Sequence, residues 1–316
     1  MDPLESLSLK KDSTLAMIRA ATRKGWAVSY CDQADLMLKD RKEQVTTRAL
    51  TLPLPFGESL SLEGHDGPWY TLGEPATEPL TAFNVIMNRK DPPFDMEYIY
   101  LTYFLERAQD AGVLVVNNPR SVRDCNEKFF ATAFPDCCPP LIVSRRMEAL
   151  MAFQKEQQNV VFKKLDGMGG KSIFRVLEGD TNLKVILETL TEGEAQQIMG
   201  QRYLPEIADG DKRILLIDGE PVPYALARVP MAGESRGNLA AGGTGEGRPL
   251  TDRDRYIAEQ VGPELKRRGL LFVGIDVIGD YLTEVNVTCP TCIRELDAQF
   301  SLDIAGTLFD RIEARL

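Results

Sequence analysis

Leu15, Met17, Ile18 and Ala21 recur at helical spacing behind Asp12 and Ser13, and Gly25 ends the run, so the pattern predicts a capped helix over 12–25. Trp26-Ala27-Val28-Ser29-Tyr30 then reads as a strand. Positions 39–80 are polar and contain prolines, which points to hairpins and loops. Asn84-Val85-Ile86-Met87 is a short apolar run, 96–111 has helical texture, and Gly112 leads into a second apolar run, Val113-Leu114-Val115-Val116. Strands alternating with helices predict a parallel α/β unit, whose ligands gather at the carboxyl ends of the strands. Arg89 stands at such an end.

From about residue 120 the pattern changes to pairs of strands joined by glycine turns. The run 160–165 leads through Asp166-Gly167-Met168-Gly169-Gly170 to 172–176. The run 213–217 turns at Asp218-Gly219 into 222–227, and 271–278 turns at Gly279-Asp280 into 281–286. Asp-Gly and Gly-Asp between apolar runs predict hairpins. The half from 120 to 316 is therefore expected to be α+β with antiparallel sheets. Within it, 230–247 is rich in glycine and poor in apolar residues, which suits a lid better than a core element.

Composition narrows the chemistry. The chain has 316 residues, room for two or three domains, and a formal charge of −10, which speaks against a nucleic-acid surface. No apolar run approaches the roughly 20 residues that span a bilayer. Residues 1–11 lack the apolar stretch of a signal peptide, so no membrane partner and a cytoplasmic location are expected. His65 is the one histidine and sits among turn residues, which disfavours His bases and His metal ligands. Of six cysteines only Cys289 and Cys292 form a Cys-x-x-Cys pair; without further ligands that is a poor zinc site, and it reads as two reduced thiols.

Carboxylates, amides, Lys and Arg remain. Glu284 and Asn286 are two apart on a strand and share a face, and Asp276 lies across the Gly279-Asp280 turn. Two carboxylates and an amide oxygen form a hard, oxygen-only set suited to Mg2+. A solvent-facing polar stripe is the alternative, weakened by Ile275, Val277, Val285 and Val287 on the other face. The 166–172 turn fails as a P-loop, because the first glycine would fall at Leu165 and a strand follows. It is either a plain turn or a flexible loop whose N–H groups close over phosphates. Lys128, Lys163, Arg213, Arg228 and Arg236 lie beside these loops or on hairpin strands. With Mg2+, such cations serve phosphoryl transfer by positioning and charge neutralisation.

Five segments together resemble the prokaryotic glutathione synthetases: Arg89-Lys90-Asp91-Pro92-Pro93-Phe94-Asp95, Arg123-Asp124-Cys125-Asn126-Glu127-Lys128, Leu165-Asp166-Gly167-Met168-Gly169-Gly170, Arg236-Gly237-Asn238-Leu239-Ala240-Ala241-Gly242-Gly243 and Glu284-Val285-Asn286-Val287-Thr288. The similarity runs over essentially the whole chain. It implies an N-terminal α/β substrate-binding domain of the pre-ATP-grasp type (1–120), then an ATP-grasp unit with a central subdomain (121–204) and a C-terminal subdomain (205–316) carrying the lid. It implies ligation of γ-glutamylcysteine to glycine, with ATP going to ADP and phosphate, Mg2+ or Mn2+ as cofactor, and a homotetramer.

On the matching positions, Lys128, Lys163 and the loop Gly167, Met168, Gly169 and Gly170 would hold ATP phosphates. The segment Gln201-Arg202-Tyr203-Leu204 would contact adenine through backbone groups, and Asp211 would sit near the ribose. Asp276, Glu284 and Asn286 would bind the metal. Arg213, Arg228, Arg236 and Asn238 would face the peptide substrate, the transferring phosphate, or both.

The chain departs from the family in three places. The family's chains open with a short apolar strand before the Met1-Asp2-Pro3 seen here; if it were absent the parallel sheet would lose a member, and a start set too late is the expectation. Lys164 and Lys171 replace a proline and a small residue. Cys289 replaces a small hydroxyl residue near the glycine substrate, and a thiol is the weaker donor. Three other readings compete: another ATP-grasp carboxylate–amine ligase with a different acceptor, a non-catalytic nucleotide-binding protein, and a redox protein built on Cys289 and Cys292.

Overall fold

Asp12 caps the first helix as expected: its carboxylate accepts from Thr14 N and Leu15 N, and α1 runs Ser13–Arg23 in the computed structural model. The structure describes residues 1–53, 69–170, 172–231 and 243–316. His65, Lys171, Arg236, Asn238 and most of the 230–247 lid lie outside those residues.

The 26–30 strand is shorter than its composition predicts. Only Ser29–Tyr30 (β1) pairs, with Ala49 and Arg48, while Trp26 turns onto Phe309 with ring centroids 5.3 Å apart. Burial of Trp26 against the far end of the chain overrides strand propensity there. The polar 39–80 stretch contains two long strands, β3 (Lys42–Thr51) and β4 (Thr71–Pro79), which with β1 and β2 (Leu36–Lys39) form an antiparallel sheet.

Parallel pairing is confined, among the described residues, to β5 (Val85–Met87) and β6 (Leu114–Val116), joined by α2 (Met96–Asp110). An apolar cavity lies against β5, lined by Met17, Ile18, Val28, Met87, Leu101 and Leu105 but by no residue of β6. After α3 (Pro119–Asp124) comes a four-stranded antiparallel sheet of order β7-β10-β8-β9, built from β7 (Leu141–Ser144), β8 (Val160–Lys164), β9 (Ile173–Val176) and β10 (Ile198–Arg202). Helices α4 (Met147–Gln157) and α5 (Leu183–Thr191) cover one face of it. The period of two along β8 sends Val160 and Phe162 into that core, and so turns Val161 and Lys163 to the other side.

The last sheet has the order β13-β12-β11-β14-β15, from β11 (Asp211–Ile217), β12 (Glu220–Val229), β13 (Thr244–Pro249), β14 (Phe272–Ile278) and β15 (Tyr281–Asn286). Both faces are covered, which explains the unbroken apolar run 214–217 in β11. Ile257, Val261 and Leu265 of α6 (Asp252–Arg267) cover one side. Ile293 and Leu296 of α7 (Ile293–Phe300), Leu308 and Phe309 of α8 (Ile304–Glu313), and Met17 of α1 cover the other. The N-terminal segment is thereby packed onto the C-terminal one. Among the described residues, no helix is long and apolar enough to cross a membrane.

Candidate active site between two sheets

The turn at Gly279 admits little but glycine, since its φ is +56° and a Cβ would stand 2.9 Å from Glu206 Cγ. The hairpin it closes sets Asp276 opposite Glu284 and Gly274 opposite Asn286, with a β-bulge after Asp276. Val273, Ile275, Val277, Val285 and Val287 enter the core. Asp276, Glu284 and Asn286 are left on the other face, and Asn286 Nδ2 donates to Asp276 Oδ2 at 3.2 Å. The three predicted ligands thus come together.

Cations hold this face. Arg213 Nε and Nη2 donate to Asp276 Oδ1 and Oδ2 at 2.5 and 3.0 Å. Its path exists because Gly274 has no side chain: a Cβ there would stand 2.8 Å from Arg213 Cδ. Arg228 Nη2 bridges Asp276 Oδ2 at 3.0 Å and Asp211 Oδ2 at 2.5 Å. Burial by itself would raise the Asp276 carboxyl; Arg213 and then Arg228 outweigh it and hold the group well below the usual carboxylate range. Lys163 Nζ of the facing sheet lies 3.3 Å, and Lys128 Nζ in the turn after α3 lies 3.5 Å, from Glu284 Oε1. Burial opposes ionisation of Glu284 too, but Lys128 and Lys163 keep its carboxyl low. The reverse does not hold for Lys163, where burial outweighs Glu284 and lowers the ammonium.

One cleft collects most of the expected residues. Lys128, Lys163, Gly167, Met168, Gly169, Gly170, Gln201, Tyr203, Leu204, Asp211, Asp276 and Glu284 all line it. Arg213, Arg228 and Asn286 stand behind that lining, tied to it through Asp276. Arg236 and Asn238 lie outside the described residues. Lys164 is turned away, its Nζ 2.8 Å from Glu192 Oε1.

Two features escape sequence reasoning. Arg175 lies over the Tyr203 ring at 3.7 Å and donates from Nε to Asn159 Oδ1 at 3.1 Å; nothing in Phe174-Arg175-Val176 signals it. Gln201 Nε2 is buried with no partner among the described residues, a donor in a residue that lines a polar cleft.

The donor set fits a hard divalent ion. Among the described residues no three His, Cys, Asp or Glu side chains gather as a self-sufficient metal site. Two carboxylates and an amide oxygen leave positions for water and phosphate, the usual state of Mg2+ beside a nucleotide. Cys289 and Cys292 are free, and burial raises both thiols, the reverse of what an attacking thiolate needs.

Asp211 has a pH signature. Burial pushes its carboxyl up to about 6, against the opposing pull of Arg228, while Oδ1 has no partner among the described residues. Its folded value exceeds the unfolded one, so the folded state binds the proton more tightly. Ionised Asp211 therefore costs stability, fully above about pH 6 and less as the solution is acidified toward the ordinary carboxylate range. Asp211→Asn, compared with the parent in urea melts, should gain relative stability as pH rises from about 4 to 7. A difference that stays flat with pH would contradict this.

Residues 127–301 match the family model for the prokaryotic glutathione synthetase ATP-grasp domain, and residues 1–123 match that for the N-terminal domain. A glutathione synthetase from Pseudomonas putida is 58% identical over 316 residues, spanning 100% of this chain and 96% of that one. One from Escherichia coli K12 is 52% identical, spanning 100% of this chain and 97% of its own. Among solved structures, a RimK domain protein ATP-grasp from Sphaerobacter thermophilus superposes with a TM-score of 0.60 at 18% identity, covering 96% of this chain and 95% of that one. The D-cycloserine synthetase DcsG gives 0.58 at 16% identity, covering 75% and 85%. At such identities the last two speak for the fold alone. The two matched domains and the full-length relatives carry the assignment: the chain belongs to the prokaryotic glutathione synthetases, ATP-dependent ligases built on the ATP-grasp fold.

Proposed function

We propose that the cleft between the two sheets takes ATP with Mg2+ or Mn2+, and that the chain uses it to join γ-glutamylcysteine to glycine. The observation that carries this reading is the meeting of Lys163 and the glycine loop from one sheet, and Lys128 from the turn after α3, with Asp276 and Glu284 from the other sheet. Cations for phosphate and oxygens for a metal face each other across a space open enough for a ligand.

In this reading Lys128 and Lys163 leave Glu284 for the phosphates, and the amides of residues 167–170 close over them. The base packs on Val161, Ile173 and Ile278, with Gln201, Tyr203 and Leu204 at its polar edge. The unpartnered Asp211 Oδ1 accepts from a ribose hydroxyl. Asp276, Glu284 and Asn286 hold the metal, which when bound neutralises charge on the phosphates. Arg213, Arg228, Arg236 and Asn238 orient the peptide carboxylate as it attacks the γ-phosphate in line, expelling ADP and leaving an acyl phosphate. The amine of glycine then displaces phosphate from the acyl phosphate. Because acyl phosphates hydrolyse, the expected lid would keep water out, less residues 244–247, which the structure pairs with β12 as the start of β13.

The division into 1–120, 121–204 and 205–316, a homotetrameric assembly and a cytoplasmic location belong to the same proposal; light scattering tests the assembly. The central test is ADP release with γ-glutamylcysteine plus glycine, against other acid and amine pairs and with metal chelated. Equal turnover with another pair, or turnover that survives chelation, would overturn it.

A further inference from the structure

We infer that Glu127 is a positioning residue that fixes the metal-binding end of β15 against the phosphate-binding lysines; this rests on the site reading proposed above. Glu127 does not line the cleft. Its carboxylate Oε1 accepts from Val287 N at 3.1 Å, Thr288 N at 3.1 Å and Thr288 Oγ1 at 2.7 Å. Its main-chain oxygen accepts from Val285 N at 2.8 Å. Both chain neighbours of Asn286 are therefore tied to this one residue.

The reason lies in sheet topology. β15 is the outermost strand of its sheet among the described residues, so alternate N–H groups along it face away from β14. Val285 N and Val287 N are such donors, and Glu127 stands in for the absent strand, its carbonyl on one and its carboxylate on the other. Three donors converge on this one carboxylate oxygen, so the strand end is held where an uncovered edge would fray.

The two neighbours of Glu127 extend the link to the other sheet. Asn126 Nδ2 donates to Leu165 O at 3.1 Å, at the base of the glycine loop. Lys128 Nζ donates to Gly167 O at 2.5 Å and lies 3.5 Å from Glu284. Three consecutive side chains thus bolt the glycine loop, the lysine and the Asn286 strand end into one unit. Losing Glu127 frees Asn286 and Glu284 to drift from the lysines, while those lysines stay in place.

The test is calorimetric titration of Mn2+ into ADP-loaded protein, beside ADP binding in chelator and urea melts. Glu127→Ala is expected to weaken Mn2+ about 10- to 100-fold, as removal of an outer partner of a metal ligand does. Binding of ADP without metal should change by less than about 3-fold, because Lys128 and Lys163 keep their seats. Glu127→Gln keeps an acceptor oxygen and should recover most of the loss. If Glu127→Ala does not fold, Thr288→Val, which removes only the hydroxyl bond, should still weaken Mn2+ measurably.

A Glu127 variant that folds, loses stability and binds Mn2+ as the parent does would show a merely structural role and overturn the inference. Equal losses of metal-free ADP and of Mn2+ would overturn it as well. Asp276→Asn serves as control. If that variant also leaves Mn2+ affinity intact, the site reading itself fails; if only Glu127 is silent, the fault lies with Glu127 alone.

Discussion

An Asp276→Asn protein is expected to lose ligase turnover by about 10²–10³-fold and to unfold about 3–5 kcal/mol more readily. The carboxylate is 3% exposed and takes both Arg213 and Arg228. Asparagine keeps the shape but takes from Arg213 the carboxylate it donates to and leaves Arg228, among the described residues, with Asp211. Breaking a buried ion pair from one side costs far more than the intact pair contributes, because the charge left behind remains out of water. The pH dependence follows from the direction of the shift. Asp276 is held below its unfolded value, so its contribution is complete above the ordinary carboxylate range and fades only as strong acid protonates it in the folded state. The gap between variant and parent in urea melts should therefore be constant above about pH 7, where Asp211, which shares Arg228 with Asp276, is ionised as well. A fully active variant would remove Asp276 from the site.

The hairpin that carries Asp276 was legible because strand geometry needs little context. Gly279-Asp280 fixes the turn, and a period of two then assigns Glu284 and Asn286 to one face and Val285 and Val287 to the other. The glycine loop and the lysines were legible through the resemblance rather than through spacing. What no local pattern reveals is who pairs with whom. Arg213 and Asp276 lie on neighbouring strands but 63 residues apart, and Glu127 reaches Thr288 across 161. Such partners are set by sheet order, which the run of residues does not state. Trp26 shows the same limit in the core, since its strand propensity yields to a packing partner, Phe309, near the other end of the chain. Tyr203 is named in the sequence only through the resemblance, and nothing local to it places Arg175 above its ring.

These pairings give the cleft a resting state in which its charges satisfy one another. Asp276 is matched by arginines of its own sheet, Glu284 by Lys163 from the facing sheet and by Lys128 from the turn beside β15. In the proposed reading, a polyanion arriving with a divalent cation would exchange partners without leaving these charges alone, which would keep the cost of opening the site low. The two carboxylates differ in what they hold together. Asp276 locks one sheet internally, whereas Glu284 bridges two sheets that a nucleotide must enter between.

Lys163→Met should separate those roles by moving ATP affinity and stability in opposite directions. The variant is expected to raise KM for ATP about 10²-fold, the scale on which removing one partner of a buried charge pair weakens a complex. Unlike Asp276→Asn, it should be as stable as the parent or more so. Burial lowers the Lys163 ammonium despite Glu284 3.3 Å away, so the charged form costs stability near neutral pH and is relieved as pH rises through the folded value. Methionine has similar length, carries no charge, and leaves Glu284 with Lys128 at 3.5 Å. Combining Lys163→Met with Lys128→Met should cost much more than the two singles together in stability, because only the pair leaves Glu284 uncompensated. ADP-release kinetics against ATP concentration, with urea melts of all three variants, would decide it. A Lys163→Met protein that keeps its KM, or that loses stability as Asp276→Asn does, would show that Lys163 serves the fold rather than the phosphates.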